Sequence, residues 1–301
     1  MSPGVNTFCF AASYTVAFAL ALMGLWSRPV WRRPAMLLAA AAGVVAHTWY
    51  LWKRIGELPQ APLSSPHDWY TGVAGLLAVA YLALTLYLPR RSLGLFMLPV
   101  VLGLIGTASL SERTSVASLQ VPRFWTLLHA GLLMGGTVAV LFGFVTGLMY
   151  LLQSSRLKRK MPTNERFRLP SLEWLELANS RALGTAALLI GFGFLTGVLS
   201  QLSHSEGRSV PWTDPVVLSL AAMLVWLVVA EGFRVIYPAA RRGRKVAYLT
   251  LAAFAFLLLT LASFTLQDSL HGEADREARG EGRESSAFHL PPSALTTGGV
   301  L

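Results

Sequence analysis

The chain has 301 residues, of which 54% are hydrophobic and only 13% are charged, and its formal net charge at pH 7 is +10. Apolar runs recur throughout and the loops between them are brief, so the sequence predicts an integral membrane protein and leaves no room for a separate soluble domain. The single cysteine, Cys9 in the first apolar run, gives no support to disulfides, CxxC redox chemistry or thiolate metal sites.

Eight apolar runs are long enough to cross a bilayer. About 17–25 apolar residues span the hydrocarbon as a helix, because unpaired backbone groups are not tolerated there. We therefore predict an all-α, polytopic membrane helical bundle of about eight transmembrane helices, of which the fourth gives the weakest signal. The predicted spans are Phe8–Leu25, Pro34–Trp52, Trp69–Leu88, Leu93–Leu110, Trp125–Gln153, Ala182–Leu202, Val216–Tyr237 and Val246–Phe264.

Basic residues are distributed unevenly between the two sides of the predicted bundle. Loops after odd-numbered spans carry 16 of the 25 lysines and arginines, and the opposite loops carry few close to the spans. By the positive-inside rule both termini face outward, and the positive charge indicates contact with anionic membrane lipid rather than nucleic acid. Met1–Thr7 lacks a basic segment, so we expect the first span to remain as an anchor.

Two segments outside the spans have a distinct composition. In the inner loop Ser154–Arg181, Ser171 is placed to cap a short interfacial helix that has Glu173 in its first turn and leads into the sixth span. Residues 268–301 are polar and rich in glycine, serine and glutamate. We therefore divide the chain into a membrane domain at 1–267 and an outer tail at 268–301 that is expected to be disordered.

Pairs of glycines at four-residue spacing occur in the fifth and sixth spans. They predict close packing of these two spans, because the absence of side chains lets helix backbones approach each other. Such pairs are common in membrane helices, so they do not mark a site. The pairs are Gly131/Gly135, Gly143/Gly147 and Gly193/Gly197.

The histidines are the main candidates for chemistry, because imidazole is the usual protein ligand of haem iron and other metals. His47 lies inside the outer end of the second predicted span, and His129 lies inside the outer end of the fifth. A histidine at such a depth is costly unless it hydrogen-bonds across helices, ligates a cofactor or relays protons. The sequence leaves these readings open.

The other four histidines belong to outer loops or to the tail. We expect His67, His204 and His289 to be solvated side chains, which is the usual state of a loop histidine. His271 closely follows the eighth span, so an extension of that helix would hold it over the outer mouth of the bundle.

The polar and aromatic residues near the seventh span can be explained by structural roles. Asp214 is placed to cap the seventh helix with Pro215 at its first position, and Trp212 is either an interfacial belt residue or a flat surface beneath a porphyrin. Glu231 and Arg234 stand three residues apart and are expected to pair on one helix face. The sequence has no nucleophile with a base, no phosphate loop and no carboxylate pair at catalytic spacing.

Four segments in the second half carry a family resemblance. They are Trp125-Thr-Leu-Leu-His129, Gly147-Leu-Met-Tyr-Leu-Leu152, Leu169-Pro-Ser-Leu-Glu-Trp-Leu-Glu176 and Gly191-Phe-Gly-Phe-Leu-Thr-Gly197. Through them, over about residues 122–271, the chain resembles the cytochrome c assembly protein family of CcsA/ResC-type haem-handling membrane proteins. It is most similar to the HemX-like branch of that family.

The signature of this family is a tryptophan-rich outer segment, the WWD motif, between two outer histidines that ligate haem. The matching loop keeps Trp212 and Asp214 but lacks the dense tryptophan pattern, so it is a degenerate WWD-like loop. The resemblance implies that His129 and His271 are ligands of the iron of haem b. It also implies that Trp212 and Asp214 contact the cofactor as motif remnants, and that His47 is a transmembrane haem-binding histidine.

The resemblance implies a protein of a bacterial-type inner membrane, with its histidine-bearing loops on the periplasmic side. It would deliver haem to apocytochrome c, or attach it, together with a biogenesis partner protein, as a component of a haem lyase rather than an enzyme alone. A second reading is a HemX-like non-catalytic scaffold or regulator of haem metabolism that binds no haem. A small-solute transporter is disfavoured, because no internal repeat and no deeply placed charge is visible.

Overall fold

The computed structural model describes residues 7–27, 29–57, 65–88, 92–111, 123–160, 167–204, 214–237 and 245–263. All regular structure within these ranges is helical, which confirms the predicted all-α bundle. The eight helices of the described ranges are α1 (Thr7–Met23), α2 (Arg32–Glu57), α3 (Pro66–Tyr87), α4 (Gly94–Leu110), α5 (Arg123–Lys158), α6 (Leu172–His204), α7 (Pro215–Ile236) and α8 (Lys245–Ser263).

Several predictions concern parts of the chain outside this description. Trp212, His271, His289 and the tail at 268–301 all lie outside the described residues. His204 is the last residue of α6, but only its backbone is described, so the prediction for its side chain is not tested.

Each predicted span corresponds to one helix. Six helices are long and apolar enough to cross a membrane, whereas α1 and α4 are shorter apolar helices of 17 residues each. At 36 and 33 residues, α5 and α6 exceed the roughly 20 residues that cross a hydrocarbon core, so both extend beyond it.

The predicted separate interfacial helix before the sixth span was wrong. Ser171 does act as the cap, since its hydroxyl accepts a hydrogen bond from the amide of Trp174 at 3.3 Å. The helix then runs without a break from Leu172 into the span, because no glycine or proline interrupts the chain before Gly184.

Two helices begin with a side-chain cap followed by proline. The Ser65 hydroxyl accepts from the amide of Asp68 at 3.1 Å, with Pro66 as the first residue of α3. The predicted cap of α7 is confirmed, because Oδ1 of Asp214 accepts from the amide of Val216 at 2.7 Å. Both caps satisfy amides that have no partner within the helix.

The helices pack as two adjoining groups. Within the first group, α1 contacts α2 and α4, and α3 contacts α2 and α4; within the second, α5 packs along α6 and α6 contacts α7. Helix α8 joins the second group, because Phe254 stacks on Phe144 of α5 and Leu249 accepts a hydrogen bond at 3.2 Å from the indole of Trp226 in α7. Trp226 is therefore a contact between helices.

Successive helices run antiparallel, so α1, α3, α5 and α7 begin where the others end. We call this the histidine end, because His47, His67 and His129 lie near it. Here the hydroxyl of Tyr70 in α3 donates to the carbonyl of Leu261 in α8 at 2.9 Å, which joins the two groups.

Two arginines tie helices together towards the opposite end. Nη1 of Arg32 donates to the carbonyl of Leu20 at 2.8 Å and thereby caps the end of α1. Arg234 of α7 donates to the carbonyl of Ser180 in α6 at 3.3 Å and also pairs with Glu231. The predicted Glu231–Arg234 pair is confirmed.

Candidate functional site

The candidate site lies along the crossing of α5 and α6, where glycines bring the two backbones together. A Cβ atom on Gly193 would lie 2.6 Å from Cδ2 of Leu133 and 3.2 Å from its backbone nitrogen. A Cβ atom on Gly136 would lie 3.2 Å from the backbone nitrogen of Ile190. Backbone atoms cannot move aside as a flexible side chain can, so the predicted close packing of these spans is confirmed.

Among the remaining glycines of the predicted pairs, Gly135 also faces α6, since its Cβ atom would lie 3.2 Å from Cδ1 of Leu189, whereas the others have different neighbours. A Cβ atom on Gly143 would lie 2.7 Å from Cγ2 of Thr250 in α8, and one on Gly147 would make ordinary contact with Ala247 of the same helix. A Cβ atom on Gly131 would meet nothing within 4 Å. Gly143 also lies against α6, since its Cβ atom would be 3.4 Å from Cβ of Ala182, so this part of α5 packs against both α6 and α8.

The imidazole of His129 fills the space left by the missing side chain of Gly197. A Cβ atom on Gly197 would lie 2.6 Å from Cε1 and 3.0 Å from Nδ1 of His129. On the same ring, Nδ1 donates a hydrogen bond of 2.7 Å to the carbonyl of Gly193. The Gly193/Gly197 pair therefore serves the predicted packing of the two spans, and the same two glycines also determine where this imidazole lies.

The hydrogen bond to Gly193 fixes the tautomer of His129. A carbonyl oxygen only accepts, so Nδ1 carries the proton and the lone pair of the neutral ring lies on Nε2. The side chain is half-buried, and its Nε2 has no hydrogen-bond partner within the described ranges. Metal-ligating histidines have this arrangement, in which a backbone carbonyl orients one nitrogen and the other is left for the metal.

His47 lies in the other helix group, and both of its ring nitrogens are engaged. Its Nε2 donates to the carbonyl of Thr71 at 3.0 Å, and its Nδ1 accepts from the hydroxyl of Tyr14 at 3.3 Å. The ring is buried and stacks on Phe10 with a centroid distance of 4.1 Å. The sequence left several roles open for His47, and the role that the structure shows is hydrogen bonding between α1, α2 and α3.

The expectation that His67 is a solvated loop histidine was wrong. Its side chain is 0% exposed, its Nδ1 donates to the carbonyl of Ala108 at 2.7 Å, and its Nε2 accepts from the hydroxyl of Tyr50 at 2.8 Å. The physical reason is the cap at Ser65 followed by Pro66, which starts α3 early and places His67 in its first turn. Ser-Pro before the span was the signal that the sequence offered.

Asp68, next to His67, is buried and paired. Its Oδ1 accepts from Nε of Arg54 at 2.9 Å, and its side chain is 2% exposed. This ion pair joins the end of α2 to the start of α3, beside the hydrogen bonds of His67. Together they close the histidine end of the first helix group.

The predicted site residues that lie within the described part of the chain do not form one cluster. His129 lies between α5 and α6, His47 lies between α1, α2 and α3, and Asp214 caps α7, while Trp212 and His271 lie outside the described residues. Within the described part of the chain, no group of three or more histidine, cysteine, aspartate or glutamate side chains is placed to hold a metal ion. Among the described residues, the site presents one oriented imidazole whose Nε2 has no hydrogen-bond partner.

Comparison with known proteins identifies the family. The family model described as cytochrome C assembly protein matches residues 37–271, which is well over half of the chain and includes α5 and α6. No curated protein and no solved structure matches the chain. The chain therefore belongs to the cytochrome c assembly protein family and has a role in cytochrome c biogenesis.

Proposed function

We propose that this protein binds haem at the histidine end and delivers it during attachment to apocytochrome c. The observation that supports this proposal is the geometry of His129. Its Nδ1 is held by the carbonyl of Gly193, its ring is seated against Gly197, and its Nε2 has no partner in the described part of the chain. A neutral imidazole in this state is suited to an iron atom.

His129 and the two glycines that position it fit a bound haem. When bound, haem would supply an iron that accepts an imidazole nitrogen as a ligand. His129 would hold it, Gly193 would keep the proton on Nδ1, and Gly197 would leave room for the ring. Because α5 and α6 cannot separate without displacing backbone contacts, the imidazole is oriented before any ligand arrives.

Three further residues enter this proposal from the family resemblance. His271 is proposed as the second ligand of a haem b iron, and Trp212 as an aromatic surface against the porphyrin plane. Asp214 caps α7, so we propose that it acts by fixing the start of that helix, two residues after Trp212. His47 is proposed to hold α1, α2 and α3 together rather than to ligate iron, because ligation would require breaking one of its hydrogen bonds.

The orientation in the membrane is part of the same proposal. Cations concentrate at the end opposite His129, among them Arg32, Arg33, Lys158 and Arg181. The positive-inside rule then favours a periplasmic histidine end in a bacterial-type inner membrane. Thioether formation needs two reduced thiols of an apocytochrome, and with Cys9 as its single cysteine this chain has no CxxC dithiol to keep them reduced. We therefore propose a component that works with a biogenesis partner, not a complete haem lyase.

Haem content and absorption spectra of the detergent-purified protein test this proposal. The wild type, with or without added haem, is expected to show a six-coordinate haem spectrum in both oxidation states. His129→Ala is expected to retain about a tenth of the haem or less, since losing only an outer-shell partner of a ligand typically costs 10–100-fold in metal affinity and this variant removes the ligand itself. His47→Gln serves as the control and is expected to keep the wild-type spectrum.

The same measurement separates the alternative. A colourless wild type that also takes up no added haem would contradict the proposal. The HemX-like scaffold or regulator, which binds no haem, would then be the favoured function.

A further inference from the structure

The carbonyl of Gly193 accepts hydrogen bonds from two side chains. Nδ1 of His129 donates to it at 2.7 Å, and the hydroxyl of Thr196 donates to it at 2.8 Å. The first donor comes from α5 and the second from the same turn of α6. The two donors therefore meet at one oxygen atom.

The choice of carbonyl by Thr196 differs from that of most threonines in the described helices, although Thr146 also donates to a carbonyl three residues earlier, that of Gly143. A threonine in a helix commonly bonds to the carbonyl three or four residues earlier. Thr71, Thr137 and Thr250 each donate to the carbonyl four residues earlier. Thr196 instead donates to the carbonyl three residues earlier, which is the one that His129 uses.

Competition for one oxygen weakens each of the hydrogen bonds that it accepts. A carbonyl has two lone pairs, and that of Gly193 also faces the backbone N–H of Gly197 in the regular helical pattern. Each added donor draws electron density from the oxygen, so the Nδ1–H of His129 is held less strongly than it would be without Thr196. A weaker hydrogen bond at Nδ1 leaves less negative charge on the ring and makes Nε2 a weaker electron donor.

We propose that Thr196 sets the electron-donor strength of His129 by competing for the carbonyl of Gly193, and thereby raises the reduction potential of a haem iron held by His129. This inference rests on the proposed function for the part that concerns haem. The part that concerns the hydrogen bond between His129 and Gly193 does not depend on haem. Thr196 is thus a positioning residue that acts through His129.

Three variants test the competition. Thr196→Val keeps the shape of the side chain and removes the hydroxyl, whereas Thr196→Ser keeps the hydroxyl. Thr137→Val is the matched control, because it removes a hydroxyl that donates to the carbonyl of Leu133 at 2.9 Å, an oxygen that His129 does not use. A general effect of losing a threonine hydroxyl would appear in both valine variants.

The first measurement uses the protein without haem. In protein labelled with ¹⁵N-histidine, the Nδ1–H resonance of His129, assigned by its loss in His129→Gln, is expected to move downfield in Thr196→Val. It is expected to stay in place in Thr196→Ser and Thr137→Val. An unmoved resonance in Thr196→Val overturns the inference, whether or not haem is bound.

The second measurement is the midpoint potential of the haem-loaded protein. Thr196→Val is expected to lower it, because a stronger imidazole donor stabilises ferric iron, and the two other variants are expected to match the wild type. A potential that is unchanged or raised in Thr196→Val, or equally lowered in Thr137→Val, overturns the inference. Failure of the proposed function is distinguishable, since it appears as a wild type that takes up no haem.

Discussion

Replacing Gly197 by alanine is expected to weaken haem binding by about 10–100-fold, although residue 197 itself offers no ligand. The added Cβ would lie 2.6 Å from Cε1 of His129, closer than unbonded carbon atoms approach each other, and 3.0 Å from Nδ1, which is a tight contact. The ring cannot simply rotate away, because its Nδ1 is tied to the carbonyl of Gly193. Either the hydrogen bond breaks or the helices separate, and Nε2 loses its orientation in both cases.

Gly131→Ala is the matched control for this prediction. It is the same substitution in the neighbouring helix, at a position where the added Cβ meets nothing within 4 Å. Haem titration followed by absorption should give wild-type affinity for Gly131→Ala and the expected loss for Gly197→Ala, while far-ultraviolet circular dichroism shows equal helix content. Equal affinities of the two variants would refute the role that we give to Gly197.

Replacing His67 by alanine is expected to destabilise the protein by about 2 kcal/mol. The histidine bridges α2 and α4, and its loss leaves the buried carbonyl of Ala108 and the hydroxyl of Tyr50 without their hydrogen bonds to His67. A buried polar group without its partner costs roughly 1–3 kcal/mol. A single hydrogen bond between membrane helices is worth about 0.6–2 kcal/mol. The loss expected for the two hydrogen bonds of His67 therefore lies near the low end of what two unpaired buried groups would cost.

Unfolding of the detergent-solubilised protein by heat or by denaturing detergent measures this effect. Tyr50→Phe removes one of the two hydrogen bonds and is expected to fall between the wild type and His67→Ala. Thr48→Ala is the control, because Thr48 is exposed on α2 and donates only to the carbonyl of Val44 in its own helix. If His67→Ala unfolds together with Thr48→Ala, His67 does not stabilise the histidine end.

The helices and their caps were predictable from local sequence. Long apolar runs predict spans because a bilayer core tolerates few other structures. Asp214 before Pro215 and Ser171 before Leu172 predict helix starts for equally local reasons, and the structure has both. Ser65 before Pro66 is the same local signal at the start of α3, and it indicates that His67 belongs to the first turn of that helix rather than to a loop.

The surroundings of His129 were not predictable in the same way. Its residue type and its depth in the span marked it as a candidate, but its partner is a backbone carbonyl 64 residues away. That contact depends on the register of α5 against α6, and any residue type can supply a carbonyl. Gly197 and Thr196 acquire their roles through the same register, so neither carries a distinct signal in the sequence.

Rescue of a His129→Gly variant by free imidazole is the sharpest test of whether a nitrogen at this position holds the iron. We expect the variant to lack the six-coordinate haem spectrum, and we expect added imidazole, which fits the vacated space beside Gly197, to restore it. The same addition should leave the wild-type spectrum unchanged. A His129→Gly variant that keeps the wild-type haem spectrum without imidazole would show that His129 does not hold the iron.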